Sequence, residues 1–81
     1  MRIRVLYFAY YKELAGVSEE ELHLENGSTV EDFLEVVKRI HKSLEGEDKR
    51  MIVAVNNEYV RGENKLYEGD LIALFPPVSG G

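Results

Sequence analysis

Cysteine is absent from this chain of 81 residues, and disulfides, thiolate metal sites and cysteine nucleophiles are excluded with it. Positive charge never accumulates. Ten Lys and Arg stand against 15 Asp and Glu, for a net charge of -5, and no basic stretch follows a phosphate backbone, so nucleic acid is not expected as a direct partner. No apolar run reaches membrane-spanning length, and neither a signal peptide nor a lipidation box is present. A cytoplasmic protein without membrane contact is the expectation. The two histidines, His23 and His41, lie far apart and show no ligand spacing, so they read as surface or boundary residues and no metal is expected. Glycine loops of the GxGxxG and GxxxxGK types are missing too.

What is present suffices for one small domain. The chain is 44% hydrophobic and free of low-complexity tracts, with a core near the lower practical limit of size. Its acidic clusters, Glu19-Glu20-Glu21 and Glu31-Asp32, are accounted for by a solvated strand edge and a helix start. Paired-carboxylate chemistry needs a cleft, for which so small a domain has little room. The chain shows no catalytic residues of its own.

The opening RIRVLYFA alternates Arg2 and Arg4 with Ile3, Val5 and Tyr7, the period of a strand. Leu6 and Phe8 share the arginine side, so the far half of this strand is apolar on both faces. That second face is either covered by the rest of the fold or open to a partner. YYKELAG predicts one or two helical turns closed by Gly16. EEELHLE alternates Leu22 and Leu24 with Glu21, His23 and Glu25, a second strand that Asn26-Gly27 ends. Val30, Phe33, Leu34, Val37, Ile40 and Leu44 form a stripe spaced three or four apart, predicting one amphipathic helix from about Val30 to Leu44. Ser28 with Glu31, or Thr29 with Asp32, supplies a capping box. MIVAV reads as a buried strand, Asn56-Asn57 as a hairpin turn into EYV, and Glu68-Gly69-Asp70 as a turn into a last strand, LIALF.

The order is strand, strand, helix, strand, short strand, strand. It predicts an α+β fold, a mixed sheet packed on one long helix with the first and last strands parallel at its centre. That is the β-grasp (ubiquitin-like) arrangement, with residues 1–75 as the domain and residues 76–81 as an extended C-terminal tail. The tail reads FPPVSGG. A chance terminal Gly-Gly is expected in roughly 1 chain in 200. Pro76 and Pro77 fix the backbone and cannot extend the sheet; Val78 offers one apolar handle, Ser79 is small, and Gly80-Gly81 make the end slender enough for a narrow tunnel.

RVLYFA with KELAG, then GSTVEDFL, AVNNEYV, EGDLIAL and FPPVSGG resemble, in order and over nearly the whole length, the small subunit of molybdopterin synthase, the MoaD family of sulfur carriers. FPPVSGG is the most diagnostic piece. Glu63-Asn64-Lys65 and Glu68 depart from the family's pattern before the last turn, away from the tail. The resemblance implies that a ubiquitin-activating-like adenylating enzyme uses ATP to activate the Gly81 carboxylate, which then becomes a thiocarboxylate. It implies docking of the tail, Pro76, Pro77, Val78, Ser79 and Gly80 included, in the synthase large subunit of a heterotetramer. There the sulfur passes to cyclic pyranopterin monophosphate. Leu6, Phe8 and Phe75 are the candidate docking face, and no cofactor is bound by the chain itself. Two alternatives keep the fold and tail: a ubiquitin-like modifier joined through Gly81 to lysines, and a sulfur carrier for thiamin or tRNA thiolation.

Overall fold

The computed structural model describes residues 1–77. Its elements are β1 (Arg2–Tyr7), α1 (Tyr10–Ala15), β2 (Glu19–His23), α2 (Val30–Ile40), a 3-10 turn (Lys42–Leu44), β3 (Ile52–Val55), β4 (Glu58–Tyr59) and β5 (Leu71–Phe75). The five strands form one sheet in the order β2-β1-β5-β3-β4. β1 and β5 run parallel at its centre, and β1–β2, β3–β5 and β3–β4 are antiparallel. A parallel central pair needs a long crossover between its strands, and α2 lies within that connection. Among the described residues, no helix is long and apolar enough to cross a membrane.

Strand alternation sorts the sheet into two faces. Ile3, Val5 and Tyr7 of β1, Ile72 and Leu74 of β5, and Val53 and Val55 of β3 enter the core, where Val30, Phe33 and Val37 of α2 meet them. The helix start is closed by the Thr29–Asp32 capping box: the Thr29 hydroxyl accepts from the Asp32 N–H, and the Asp32 carboxylate accepts from the Thr29 N–H. The N–H groups of Val30 and Glu31 donate to the carbonyls of Asn64 and Gly62, 2.9 and 3.0 Å away. The loop before β5 thereby satisfies donors that every helix start leaves unpaired.

The helix expected to run to Leu44 stops at Ile40. His41 takes φ -117°, ψ 85°, and its ring stands edge-on to Tyr7 at 5.5 Å. The 3-10 turn that follows carries Leu44 into the core, whereas Ile40 is 49% exposed. The Tyr7 hydroxyl donates to Glu20 at 2.5 Å, and His41 Nε2 lies 2.6 Å from the same carboxylate oxygen. This half-buried cluster joins β1, β2 and the end of α2, and supplies the polar contact that turns the chain at His41. Burial first, then the hydrogen bond to Glu20, pushes the Tyr7 phenol far above its ordinary value.

The Asn56-Asn57 turn has φ of 50° and 72°, a left-handed pair that asparagine tolerates and a two-residue hairpin requires. It also fixes the start of β5. Asn56 Nδ2 donates to buried Asp70 at 3.0 Å, Asp70 accepts from the Tyr67 N–H, and Asn56 Oδ1 accepts from the Leu71 N–H. The register of β5, and so the place where its last residue emerges, is tied to this turn.

The Tyr11 hydroxyl is enclosed and makes no hydrogen bond of good geometry among the described residues; burial first, and then the nearby Glu47 carboxylate, pushes the phenol above its ordinary value. Tyr11→Phe removes that desolvated oxygen and keeps the ring. The expected result in chemical denaturation is a gain of about 1 kcal/mol; a loss of similar size would mean that the hydroxyl is satisfied, by Glu47 or by water.

Candidate functional site

The face of the sheet turned away from α2 changes character along the strands. At one end Arg2 pairs with Glu68 at 3.3 Å and Arg4 with Glu19 at 2.8 Å, all well exposed. The Arg2 backbone N–H, followed by its guanidinium, holds the Glu68 carboxyl below the usual range. These pairs contribute little stability at such exposure, but they keep that end of the face polar.

Further along, the pairing sets residues in rows. Leu6 lies between Glu19 and Ala73, Ala73 faces Ala54, and Ala54 faces Tyr59. In the next row Phe75 faces Ile52, and the Phe8 ring stacks on Phe75 with centroids 4.6 Å apart and planes 11° apart. Phe8, Ile52, Tyr59 and Phe75 wall an open apolar groove, and Pro76 and Pro77 lie along it. Phe8 is 40% exposed and Tyr59 80%. Large apolar groups left open in one patch mark interaction surfaces more often than scattered outliers do.

The backbone beside the groove is unusual at one residue. Ala9, which lines it, has φ 52° and ψ -127°, the first central position of a type II′ turn, where glycine is the ordinary occupant. The Tyr11 N–H donates to the Phe8 carbonyl at 3.1 Å and closes that turn, while the Ala9 carbonyl accepts from Lys12 and Glu13 to open α1. An alanine held there costs about 1–3 kcal/mol.

The structure therefore brings Phe8, Phe75, Pro76 and Pro77 together. Leu6 sits half-buried on the same face, one row back. Val78, Ser79, Gly80 and Gly81 lie outside the described residues. Sequence reading missed Ile52 and Tyr59. Ile52 was hidden in a run read as wholly buried. Tyr59 could have been found from the Asn56-Asn57 turn, whose two-residue length sets Tyr59 opposite Ala54.

Apart from the Tyr59 hydroxyl, the described residues that wall the groove offer no acid, base or nucleophile. The Tyr7–Glu20–His41 cluster has catalytic residue types, yet none of the three lines the groove. Among the described residues, no group of three or more His, Cys, Asp or Glu is placed to hold a metal ion.

A mixed sheet with parallel first and last strands at its centre, one long helix across one face and an apolar groove where the last strand ends defines a ubiquitin-like β-grasp protein. The ThiS family matches residues 5–81. The chain is 43% identical to the molybdopterin synthase sulfur carrier subunit of Chlamydomonas reinhardtii, with 100% of each covered. It is 36% identical to the subunit of the same name in Escherichia coli, covering 98% of this chain and 99% of that one. Among solved structures, small archaeal modifier protein 1 of Haloferax volcanii superposes with a TM-score of 0.89 at 31% identity over the full length of both. The chain belongs to the ThiS family, with the molybdopterin synthase sulfur carrier subunits.

Proposed function

We propose that this chain is the small, sulfur-carrying subunit of a molybdopterin synthase, and that the Gly81 carboxyl is the atom group that carries the sulfur. The observation that bears most weight is the apolar groove of Phe8, Ile52, Tyr59 and Phe75 at the point where Pro76 and Pro77 leave the sheet. A partner that grips this groove holds the base of the tail, and the length of the chain after Pro77 limits how far Gly81 can reach.

The chemistry runs in three steps. A carboxylate is a poor electrophile until one oxygen becomes part of a good leaving group. An adenylating enzyme joins Gly81 to the α-phosphate of ATP, releasing pyrophosphate and leaving an acyl-adenylate. A sulfur donor displaces AMP to give the thiocarboxylate, an anion at neutral pH and a far better sulfur nucleophile than its oxygen parent. In the large subunit this sulfur attacks a side-chain carbon of cyclic pyranopterin monophosphate and displaces an oxygen from it. Water then cleaves the bond between sulfur and the acyl carbon, the carboxylate returns, and a second thiocarboxylated chain supplies the other sulfur of the dithiolene. Binding groups for the pterin and the acid–base residues come from the large subunit, since the groove holds neither. A chain without cysteine thus carries reactive sulfur on its own end. Gly81 has no Cβ to obstruct either attack.

A second reading keeps the activated Gly81 and changes the acceptor to a lysine amine, giving an isopeptide bond. The full-length likeness to small archaeal modifier protein 1 favours it. One reconstitution separates the two. Purified chain, activating enzyme, ATP, a sulfide source, large subunit and cyclic pyranopterin monophosphate are expected to yield molybdopterin in proportion to the thiocarboxylated chain. Lysine conjugates without molybdopterin would replace the first reading by the second.

A further inference from the structure

Three non-glycine residues have positive φ among the described residues, and two of them, Asn56 and Asn57, are explained by their hairpin. Ala9 is not explained that way. Its side chain is exposed, so no core packing requires alanine, and glycine would hold the same backbone without strain. What surrounds it is specific. The Phe8 N–H still donates to the Leu74 carbonyl at 3.1 Å, as a last rung of the central parallel pair. One residue later the chain has left the sheet. Ala9 is the residue at which it turns.

We infer that Ala9 is a positioning residue for partner docking: its turn takes the chain off the sheet right after Phe8, and thereby keeps the Phe8 ring flat on Phe75 as an uncovered wall of the groove. A relaxed Ala9, with negative φ, sends the following residues along a different path and carries the Phe8 carbonyl out of its bond to Tyr11. The strain persists because it is held from both sides, by the Phe8–Leu74 bond and the Phe8–Phe75 stack before it and by the first turn of α1 after it. Strained backbone that the surroundings over-determine is found where geometry must be exact to work. The inference rests on the reading of the groove as the docking site.

The test uses the full chain with Ala9→Gly, Ala9→Val, Phe8→Ala and the double variant Ala9→Val with Phe8→Ala. Ring-current shifts of Phe8 and Phe75 are read in the free protein, and affinity for the purified large subunit is read by calorimetry. Glycine is expected to keep the stack and to bind within about twofold of the parent, because it reaches the same φ and ψ freely. Valine, β-branched and much less tolerant of positive φ, is expected to lose the stack and to bind about tenfold more weakly. Ala9→Thr, β-branched but polar, serves in its place if the valine variant does not fold. Acting through Phe8, the valine change should add nothing to Phe8→Ala in the double variant. A stack that survives Ala9→Val, or losses that add in the double variant, overturns the inference. Unchanged affinity in Phe8→Ala would instead remove the docking reading itself, and the role of Ala9 with it.

Discussion

Deleting Gly81 is expected to reduce sulfur transfer to background and to leave the melting temperature unchanged. The second half follows from the core: among the described residues its last member is Leu74, seven residues before Gly81. The first half follows from reach. A chain shortened by one residue presents its carboxylate about 3.5 Å short of its former position, and a misplacement of about 1 Å at a reacting centre already costs on the order of 10²-fold. Gly81→Val tests the same point without changing length. It places a branched side chain beside the reacting carbonyl and is expected to block adenylation or transfer. Both variants should still bind the large subunit, because the groove is untouched. Molybdopterin synthesis that persists after deletion would mean that sulfur travels elsewhere on the molecule.

Phe75→Asp is expected to weaken the large-subunit complex by about 10²–10³-fold, about 3–4 kcal/mol, as for a central aromatic anchor. Its effect on the free domain should be smaller. Phe75 is half-buried on the outer face, and its loss removes the stack on Phe8, worth about 0.5–1.5 kcal/mol. Leu74→Asp is the control. Leu74 is 0% exposed, and a carboxylate there has no partner, so the domain should unfold. Binding by titration and stability by denaturation, measured on both variants, separate docking from packing. A stability loss of about 3 kcal/mol or more for Phe75→Asp would show that Phe75 is a core residue and that the patch is not an interface.

Local chemistry made much of this legible before the structure. The alternation of Ile3, Val5 and Tyr7 against Arg2 and Arg4 predicted the inner face of β1, and all three are buried. Ser28 with Glu31 or Thr29 with Asp32 marked the helix start, of which the structure uses the second, and Asn56-Asn57 marked the hairpin. The mixed sheet with its parallel central pair followed from element order, because a single long helix between the strands permits few other solutions. The end of α2 was not legible. Ile40 and Leu44 continue a helical period, but His41 meets Glu20 and Tyr7 across the fold, and tertiary contacts of that kind override periodicity. The groove was legible in part. Parity placed Leu6, Phe8 and Phe75 on one face, whereas Ile52 joins it only through the register of β3 on β5. Ala9 gave no signal, because alanine at a position suited to glycine leaves no mark in composition.

The most direct test of the central claim is the mass of the intact chain after incubation with the activating enzyme, ATP and a sulfide source, with fragmentation to place the change. Replacement of one oxygen by one sulfur at the carboxyl of Gly81, reversed when large subunit and cyclic pyranopterin monophosphate are added, is the predicted result. An unchanged Gly81 carboxyl, or sulfur found on any other residue, would contradict the account.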